Sequence, residues 1–304
     1  MKIIIIVFLL LSNLGLSAEK YAGEIFQMNS SVRNAAMGGC GLSDISSSGF
    51  AFWNSVLISS NEKLEIMHAE EYGGLLTYDS FSADLNGFSC VLTRVAIDDI
   101  PMTALQNPDS VLSANNRPYK YKLLNNSDVV AYFGFQRKIS NFQVGITPKI
   151  VFRNLAEEKA FGFGSDISTI FNLNSNTSFA LKFRDFFTTQ IFWSNGSHEF
   201  VNPSLDAEIS RNFTVFKKTT KLFLRTEIYV ENRQTNIYVS KFSIDPHLGL
   251  SVAIHPAIEI LGGYNINYFT AGVSYKWQKF RLNYSFENNS NLENSQKISL
   301  GYTL

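Results

Sequence analysis

Past residue 18 the chain has no apolar run near the roughly 18 residues that a membrane-spanning helix requires, so no later segment crosses a bilayer in that form. Charge is scarce as well. Charged residues make up 17% of the sequence, below the roughly 25% usual in soluble domains, and 26 basic residues cancel 26 acidic ones. That balance removes the electrostatic footprint of a nucleic-acid binder, so no nucleic acid is expected as a partner. Only two cysteines are present, which excludes a disulfide framework. Cys40 and Cys90 read as two small apolar residues, with a single bridge between them as the open alternative.

Recognisable reaction chemistry is missing too. The four histidines, His68, His198, His247 and His255, fall on different segments, and none has a motif around it. Cys-x-x-Cys, His-x-x-x-His and paired carboxylates at ligand spacing do not occur, so neither a metal nor a cofactor is expected. Gly162-Phe163-Gly164 lies within a strand pattern with no helix after it, unlike a phosphate loop. Asp98-Asp99 reads as a solvated loop rather than a cation site. With no nucleophile, base and orienting group in view, no catalytic residue is assigned and the chain is not read as an enzyme.

What is present is alternation. Ile298, Leu300, Tyr302 and Leu304 interleave with Lys297, Ser299, Gly301 and Thr303, which is the period of a strand. Phe280 to Glu287 repeats the pattern with Phe280, Leu282, Tyr284 and Phe286 on one face. Phe269 to Trp277 does so again. Aromatics reach 14% of the chain, with 26 Phe, and strands of about ten residues with one apolar aromatic face are what a transmembrane β-barrel needs.

The opening residues read as an export signal: Lys2, an apolar run Ile3–Leu11, then Gly15, Ser17 and Ala18, with cleavage after Ser17 or Ala18. Residues 1–18 are therefore taken as a signal peptide, 19–62 as a separate segment and 63–304 as the barrel. Fourteen candidate strands follow Lys63, at approximately 63–72, 75–85, 87–97, 128–136, 142–153, 160–171, 177–186, 203–211, 221–231, 240–254, 258–266, 268–277, 280–287 and 295–304. An even count suits a single-chain bacterial barrel, and so does the sorting of connections by length. Asn86, Arg137–Asn141, Asn172–Asn176, Asn212–Thr220, His255–Ala257, Asn267 and Gln278–Lys279 form the short set. Asp98–Ser127, Asn154–Lys159, Phe187–Asn202, Asn232–Val239 and Asn288–Asn294 form the long set. The fold class expected is all-β, a transmembrane antiparallel barrel of about 14 strands.

Two details qualify the pattern. Pro148 sits inside a strand and deletes a ladder donor, which predicts a bulge or a locally unpaired edge there. Lys149, Asp166, Lys182, Arg184, Arg225 and Glu227 fall on inward positions and read as the polar lining of a lumen. Leu76, Tyr78, Leu92, Phe223 and Tyr229 are candidate apolar groups of an inner groove.

Residues 19–62 do not alternate. They carry Gly38, Gly39, Gly41 and Gly49, a serine-rich run and the cluster Phe50, Phe52, Trp53, which together predict a compact N-terminal plug inside the lumen, with Arg33 meeting inward acidic groups. Here the residues resemble the PorV/PorQ family of outer-membrane barrels, related in fold to FadL. The likeness rests on Phe26, Arg33, Ala36-Met37-Gly38-Gly39-Cys40, Asp44 and Trp53-Asn54. It extends to Asp98-Asp99-Ile100-Pro101 with Thr103, and to Gly262-Gly263-Tyr264-Asn265, Ala271-Gly272, Asn283-Tyr284 and Ile298–Tyr302 near the end. Cys40 stands where the family has Ala, Ser55-Val56 where it has Pro-Ala, and Leu304 replaces a terminal Phe.

The resemblance implies a bacterial outer-membrane location, a plug motif at Arg33, Met37, Gly38, Gly39, Trp53 and Asn54, and a non-catalytic accessory role in protein secretion or surface-protein attachment of the type IX kind. Its partners would be outer-membrane lipid and other secretion or surface proteins. The stretch Asp98–Ser127 would be the extracellular partner loop, through Asp98, Asp99, Ile100, Pro101, Tyr119 and Tyr121. The alternative is a FadL-like passive transporter of hydrophobic small molecules.

Overall fold

In a computed structural model, residues 22–58, 63–139, 142–230, 237–265, 268–289 and 293–304 are described. The signal-peptide expectation lies outside them. Alternating side chains build seventeen strands. They are β1 (Lys63–Glu71), β2 (Leu76–Leu85), β3 (Phe88–Leu105), β4 (Pro118–Ile139), β5 (Phe142–Leu155), β6 (Glu158–Asn174), β7 (Thr177–Arg184), β8 (Thr189–Trp193), β9 (His198–Val201), β10 (Ser204–Val215), β11 (Lys218–Tyr229), β12 (Ile237–Val239), β13 (Phe242–His255), β14 (Ile258–Asn265), β15 (Tyr268–Trp277), β16 (Phe280–Asn288) and β17 (Ser295–Thr303). All form one antiparallel sheet, and β17 pairs back onto β1, with Lys63 opposite Thr303 and Glu70 opposite Gln296. The sheet therefore closes into a barrel.

Fourteen strands make the wall, as the alternation predicts. The other three are additions at one end. β8 and β9 form a hairpin that continues the sheet along β6, where Ala160 faces Trp193, and β12 adds a short rung beside β13. Between β7 and β8 the wall strand breaks at Asp185 and Thr188, both at positive φ. Its partner breaks at Asn202–Pro203, where proline has no ladder donor.

The connections sort more sharply than the sequence suggests. At one end each turn among the described residues is two residues long: 86–87, 175–176, 216–217, 256–257 and 278–279. The expected Asn212–Thr220 loop is almost wholly strand. Asn267 was placed with the short set, but antiparallel alternation puts the β14–β15 connection at the opposite end; the residue itself lies outside the described residues.

The stretch Asp98–Ser127 requires correction. It is not irregular: β3 and β4 pair with one another as far as Leu105 and Pro118, well beyond where β2 and β5 stop pairing with them, so the segment is a projecting hairpin with only 106–117 as its connection. A bulge interrupts β3 between Ile97 and Ile100, with Asp99 at φ 57 and its N–H donating to Asn125 Oδ1 at 3.0 Å. The polar Asp98-Asp99 pair and the Pro101 ring broke the alternation and hid the strand. At Pro148 there is no bulge. The β4–β5 register is unbroken from Tyr132–Lys149 to Phe135–Ile146, and the two residue pairs between them are simply unpaired.

The two faces follow from parity. Leu248, Leu250, Leu282, Ile298 and Leu300 point outward and exposed, while Ser251, Asn283, Ser285, Lys297 and Ser299 point inward and buried. Leu92, expected in an inner groove, is on the outer face, because its neighbours Val91 and Thr93 are the buried ones. Cys40 lies in the lumen and Cys90 is on the outward parity of β3, so the wall separates the two thiols and both are free. An outward apolar band inside a bilayer predicts that Leu250→Arg destabilises the folded barrel by about 2–4 kcal/mol. Phe216→Arg, in a two-residue turn at the barrel end, should cost well under half of that; reversible denaturant unfolding in liposomes measures both.

Candidate functional site

Inside the wall lies the chain from Ala22 to Ile58. It has little regular structure: a 3-10 turn at Glu24–Phe26, a helical turn at Val32–Ala36, another at Phe50–Trp53 and a 3-10 turn at Ser55–Leu57. Most of these residues are buried, including Phe26, Met37, Leu42, Phe50, Phe52 and Trp53. Such a backbone carries many N–H and C=O groups with no ladder to join, and burying them unpaired would cost roughly 1–3 kcal/mol each. The inward face of the barrel supplies the partners.

Carboxylates meet the N–H groups. Glu208 on β10 accepts from Gly41 N at 2.6 Å, Leu42 N at 3.1 Å and Ser43 N at 2.9 Å. Asp84 on β2 accepts from Gly49 N at 2.9 Å and Phe50 N at 3.0 Å. Cations and donors meet the carbonyls: Arg184 to Phe26 O at 3.0 Å, Tyr78 hydroxyl to Met28 O at 3.1 Å, Lys63 Nζ to both Ile45 O and Ser47 O at 2.9 Å, and at shorter range Lys182 to Phe52 O, Arg225 to Gly39 O and Arg281 to Ser46 O. These wall cations are held in turn by buried acids. Lys149 contacts Asp166 at 2.9 Å and Asp185 at 2.7 Å, Lys182 contacts Asp166 at 3.0 Å, and Asp206 bridges Arg184 at 2.6 Å and Arg225 at 3.1 Å.

Each residue of the sequence motif has a place. Arg33 pairs with Asp44 at 2.7 Å and reaches Glu259 of β14. Met37 packs with Ala36, Cys40, Phe223 and Leu261. Gly38 sits at φ 67, and a Cβ there would stand 2.7 Å from the Tyr264 N and O; a Cβ on Gly263 opposite would run into Gly38 N and the Met37 carbonyl carbon. Two backbones therefore meet where neither position admits a side chain. The Gly39 carbonyl accepts a hydrogen bond from Arg225 Nη1. Trp53 is buried edge-on to Phe52, 5.3 Å between centroids, with the Arg225 guanidinium 5.5 Å above its ring. Asn54 caps the turn after it, accepting from Val56 N at 3.1 Å and donating to Leu42 O at 2.8 Å, so the Ser55-Val56 departure from the family pattern leaves an ordered turn.

The other predicted set does not join this site. Asp98, Asp99 and Pro101 are exposed on the projecting hairpin, Ile100 is half-buried there, and Tyr119 and Tyr121 are exposed on its returning strand. Nothing in the lumen contacts them among the described hydrogen bonds and ion pairs.

A cavity of about 490 Å³ opens between the segment and the wall at the long-connection end. Strand ends build most of it: Glu71, Tyr229, Asp245, Asn265, Tyr268, Glu287 and Lys297, with Arg225, Glu227 and His247 one step deeper. Glu24, Gln27, Met28, Asn29 and Gly39 close the side facing the lumen. Lys297 pairs with Glu71 and stands 3.6 Å from Glu287; Arg225 and the Tyr229 hydroxyl both bond Glu227. His247 Nδ1 donates to Gly38 O at 2.8 Å, since a carbonyl only accepts. Of these, sequence reasoning singles out Arg225, Glu227 and Tyr229. Glu208 is not singled out by the sequence, although it shares inward parity with its buried strand neighbours.

No family model matches the chain, and no curated protein matches it. Solved structures do. The toluene transporter TodX of Pseudomonas putida superposes with a TM-score of 0.51 at 10% sequence identity, over 90% of this chain and 97% of that one. The toluene transporter TbuX of Ralstonia pickettii gives 0.51 at 9% identity, over 90% and 97%. The monoaromatic hydrocarbon channel CymD gives 0.52 at 11%, over 91% and 98%. At such identities the likeness is one of fold: this chain is a closed antiparallel β-barrel with the fold of those outer-membrane channels, located in the bacterial outer membrane. The expected role as an accessory in secretion or surface attachment is corrected by the same finding. The barrels sharing the fold are hydrocarbon channels, and they favour the small-molecule alternative.

Two expectations follow from the segment's own chemistry. Burial alone would raise the Asp44 carboxyl, but Arg33 and Lys221 outweigh it and hold the group well below the usual carboxylate range. A depressed folded value adds stability above the unfolded-chain value of about 3.9, lost as the pH falls below it. Asp44→Asn should therefore destabilise the barrel at neutral pH, and the gap to the unaltered chain should narrow between about pH 4 and pH 2 in denaturant titrations. Burial pushes the Cys40 thiol well up. A maleimide should leave Cys40 unmodified at pH 7.5 in the folded barrel and label it only after unfolding, as mass spectrometry reads directly.

Proposed function

We propose that this chain is a passive outer-membrane channel for small molecules with a hydrophobic body. The observation that carries the reading is the chamber of about 490 Å³ between the wall and the internal segment, at the end where the connections are long. Its size suits one small ligand, and it stands inside a closed barrel whose solved counterparts are hydrocarbon channels. Residues 19–62 act as a plug in this reading. From the chamber, the described part reaches the two-residue-turn end, where Arg281 bonds Ser46 O and Gln136 bonds Ile58 O. A solute leaving the chamber therefore meets ordered protein, and its route depends on how that segment gives way.

The PorV/PorQ resemblance is kept as a proposal about descent only. The Ala36–Cys40 motif seated against Gly249 and Gly263 supports it, and no activity is drawn from it.

Cells bearing an outer membrane and lacking their own aromatic channels should take up radiolabelled toluene faster when they express this chain. Deleting residues 22–58, with folding checked by heat-modifiable gel mobility, should raise ion conductance in planar bilayers several-fold. Toluene uptake equal to that of cells without the chain would overturn the channel reading, and equal conductance would overturn the plug.

A further inference from the structure

The net charge of zero hides a separation of charge along the barrel. Toward the end with two-residue turns, the exposed charged side chains among the described residues are all basic. Arg137 and Lys138 stand on β4, Arg211 on β10, Lys217 and Lys218 at the β10–β11 turn, Lys276 on β15 and Lys279 in the turn to β16. The carboxylates near that end are used inside: Glu259 pairs with Arg33, Asp84 holds the amides of Gly49 and Phe50, and Glu65 is buried beside Asn283. Exposed acids such as Asp98, Asp99, Asp109, Glu157 and Glu293 stand toward the opposite end. Among the described ion pairs none involves the basic set.

The placement of these cations decides what they meet. In the closed sheet β5, β6 and β7 separate β4 from β10; β13 and β14 separate β11 from β15; and β17, β1, β2 and β3 separate β16 from β4. The cations therefore ring the rim, whereas a docked protein needs them on one side. Each station also carries outward aromatic groups. Phe135, 48% exposed, lies two residues before Arg137, and its ring is 5.4 Å from that of Phe88. Phe213 follows Arg211 and Phe216 precedes Lys217, both exposed. Trp277, 58% exposed, stands between Lys276 and Lys279, its ring 6.2 Å from Phe280, and Lys279 Nζ lies 5.7 Å from the Tyr302 ring. Aromatic rings at a barrel rim settle at headgroup level, and turns of two residues leave no mass to carry the neighbouring cations past it.

We infer that this rim is a lipid-binding collar whose cations hold the phosphates of anionic phospholipids. Short turns face the periplasm in bacterial barrels, so the leaflet concerned is the periplasmic one. A zwitterionic headgroup brings its own ammonium to the same surface, which these cations repel; an anionic headgroup does not, so the collar selects for net charge. The inference does not rest on the channel reading.

Quenching of tryptophan fluorescence by brominated lipid reads the collar locally, because Trp277 stands in it while Trp53 is buried in the lumen. The full-length mature chain is folded into phosphatidylcholine bilayers that contain a minor share of brominated phosphatidylglycerol or, in parallel, of brominated phosphatidylcholine. The anionic lipid should be enriched at Trp277 about fivefold over the zwitterionic one. Lys276→Gln combined with Lys279→Gln, with folding checked by heat-modifiable gel mobility, should bring that ratio to about one. Trp277→Phe should remove the charge-dependent part of the quenching, and about 0.5 M salt should weaken it in the unaltered chain. Equal quenching by the two lipids overturns the inference and leaves the cations to a soluble acidic partner. A preference that survives in the double variant or in Trp277→Phe overturns it as well, since the anionic lipid then lies elsewhere on the barrel. The unaltered chain decides the first of these outcomes even where a variant fails to fold.

Discussion

The structure depends on one exchange: charged and polar side chains on the inner wall take the place of water for a buried backbone that forms almost no ladder of its own. Glu208 gathers three consecutive N–H groups, Asp84 gathers two, and Arg184, Lys182, Arg225 and Arg281 each receive a carbonyl. Such carboxylates and guanidiniums would be costly in an apolar interior, and burial of an ion pair is by itself weak support for stability. Here Arg184, Lys182 and Arg225 each have both an opposite charge and a peptide group to satisfy. That double use explains why so many ionisable residues line a barrel of low overall charge.

The same exchange orders the molecule from outside to inside. Outward parity is apolar and meets lipid; inward parity is polar and meets the segment; the segment turns its own apolar groups, Phe26, Phe52 and Trp53, toward Val91, Val130, Tyr132 and Val151 on the wall. Where backbone touches backbone, at Gly38 and Gly263, no side chain fits at all. Contact of that kind leaves little room for sliding. The chamber lies between the Glu24–Asn29 stretch and the ends of β13 to β17.

Much of this was legible in the sequence because the signal has period two. Lys149, Asp166, Lys182, Arg184, Arg225 and Glu227 could be placed inward from alternation alone, and the strand count followed from the same pattern. Leu92 was misplaced because an apolar residue in a barrel strand says nothing of its face until its buried neighbours are known. The hairpin beyond Ile97 was missed because a bulge shifts the alternation by one and Pro101 reads as a loop residue. The chamber was not legible at all. Glu71 lies 226 residues from Lys297 in the chain, and closure of β17 onto β1 brings it beside Lys297 and Glu287. Function followed the same division: the likeness of motifs points to secretion, whereas the solved barrels that share the fold are hydrocarbon channels.

Amide hydrogen exchange on the folded barrel tests the central claim most directly. If wall carboxylates hold the internal backbone, the N–H groups of Gly41, Leu42 and Ser43 at Glu208, and of Gly49 and Phe50 at Asp84, exchange as slowly as the amides of the barrel ladder, and Glu208→Gln speeds the first group while sparing the second. Exchange of these amides at the rate of an unstructured peptide would contradict the account.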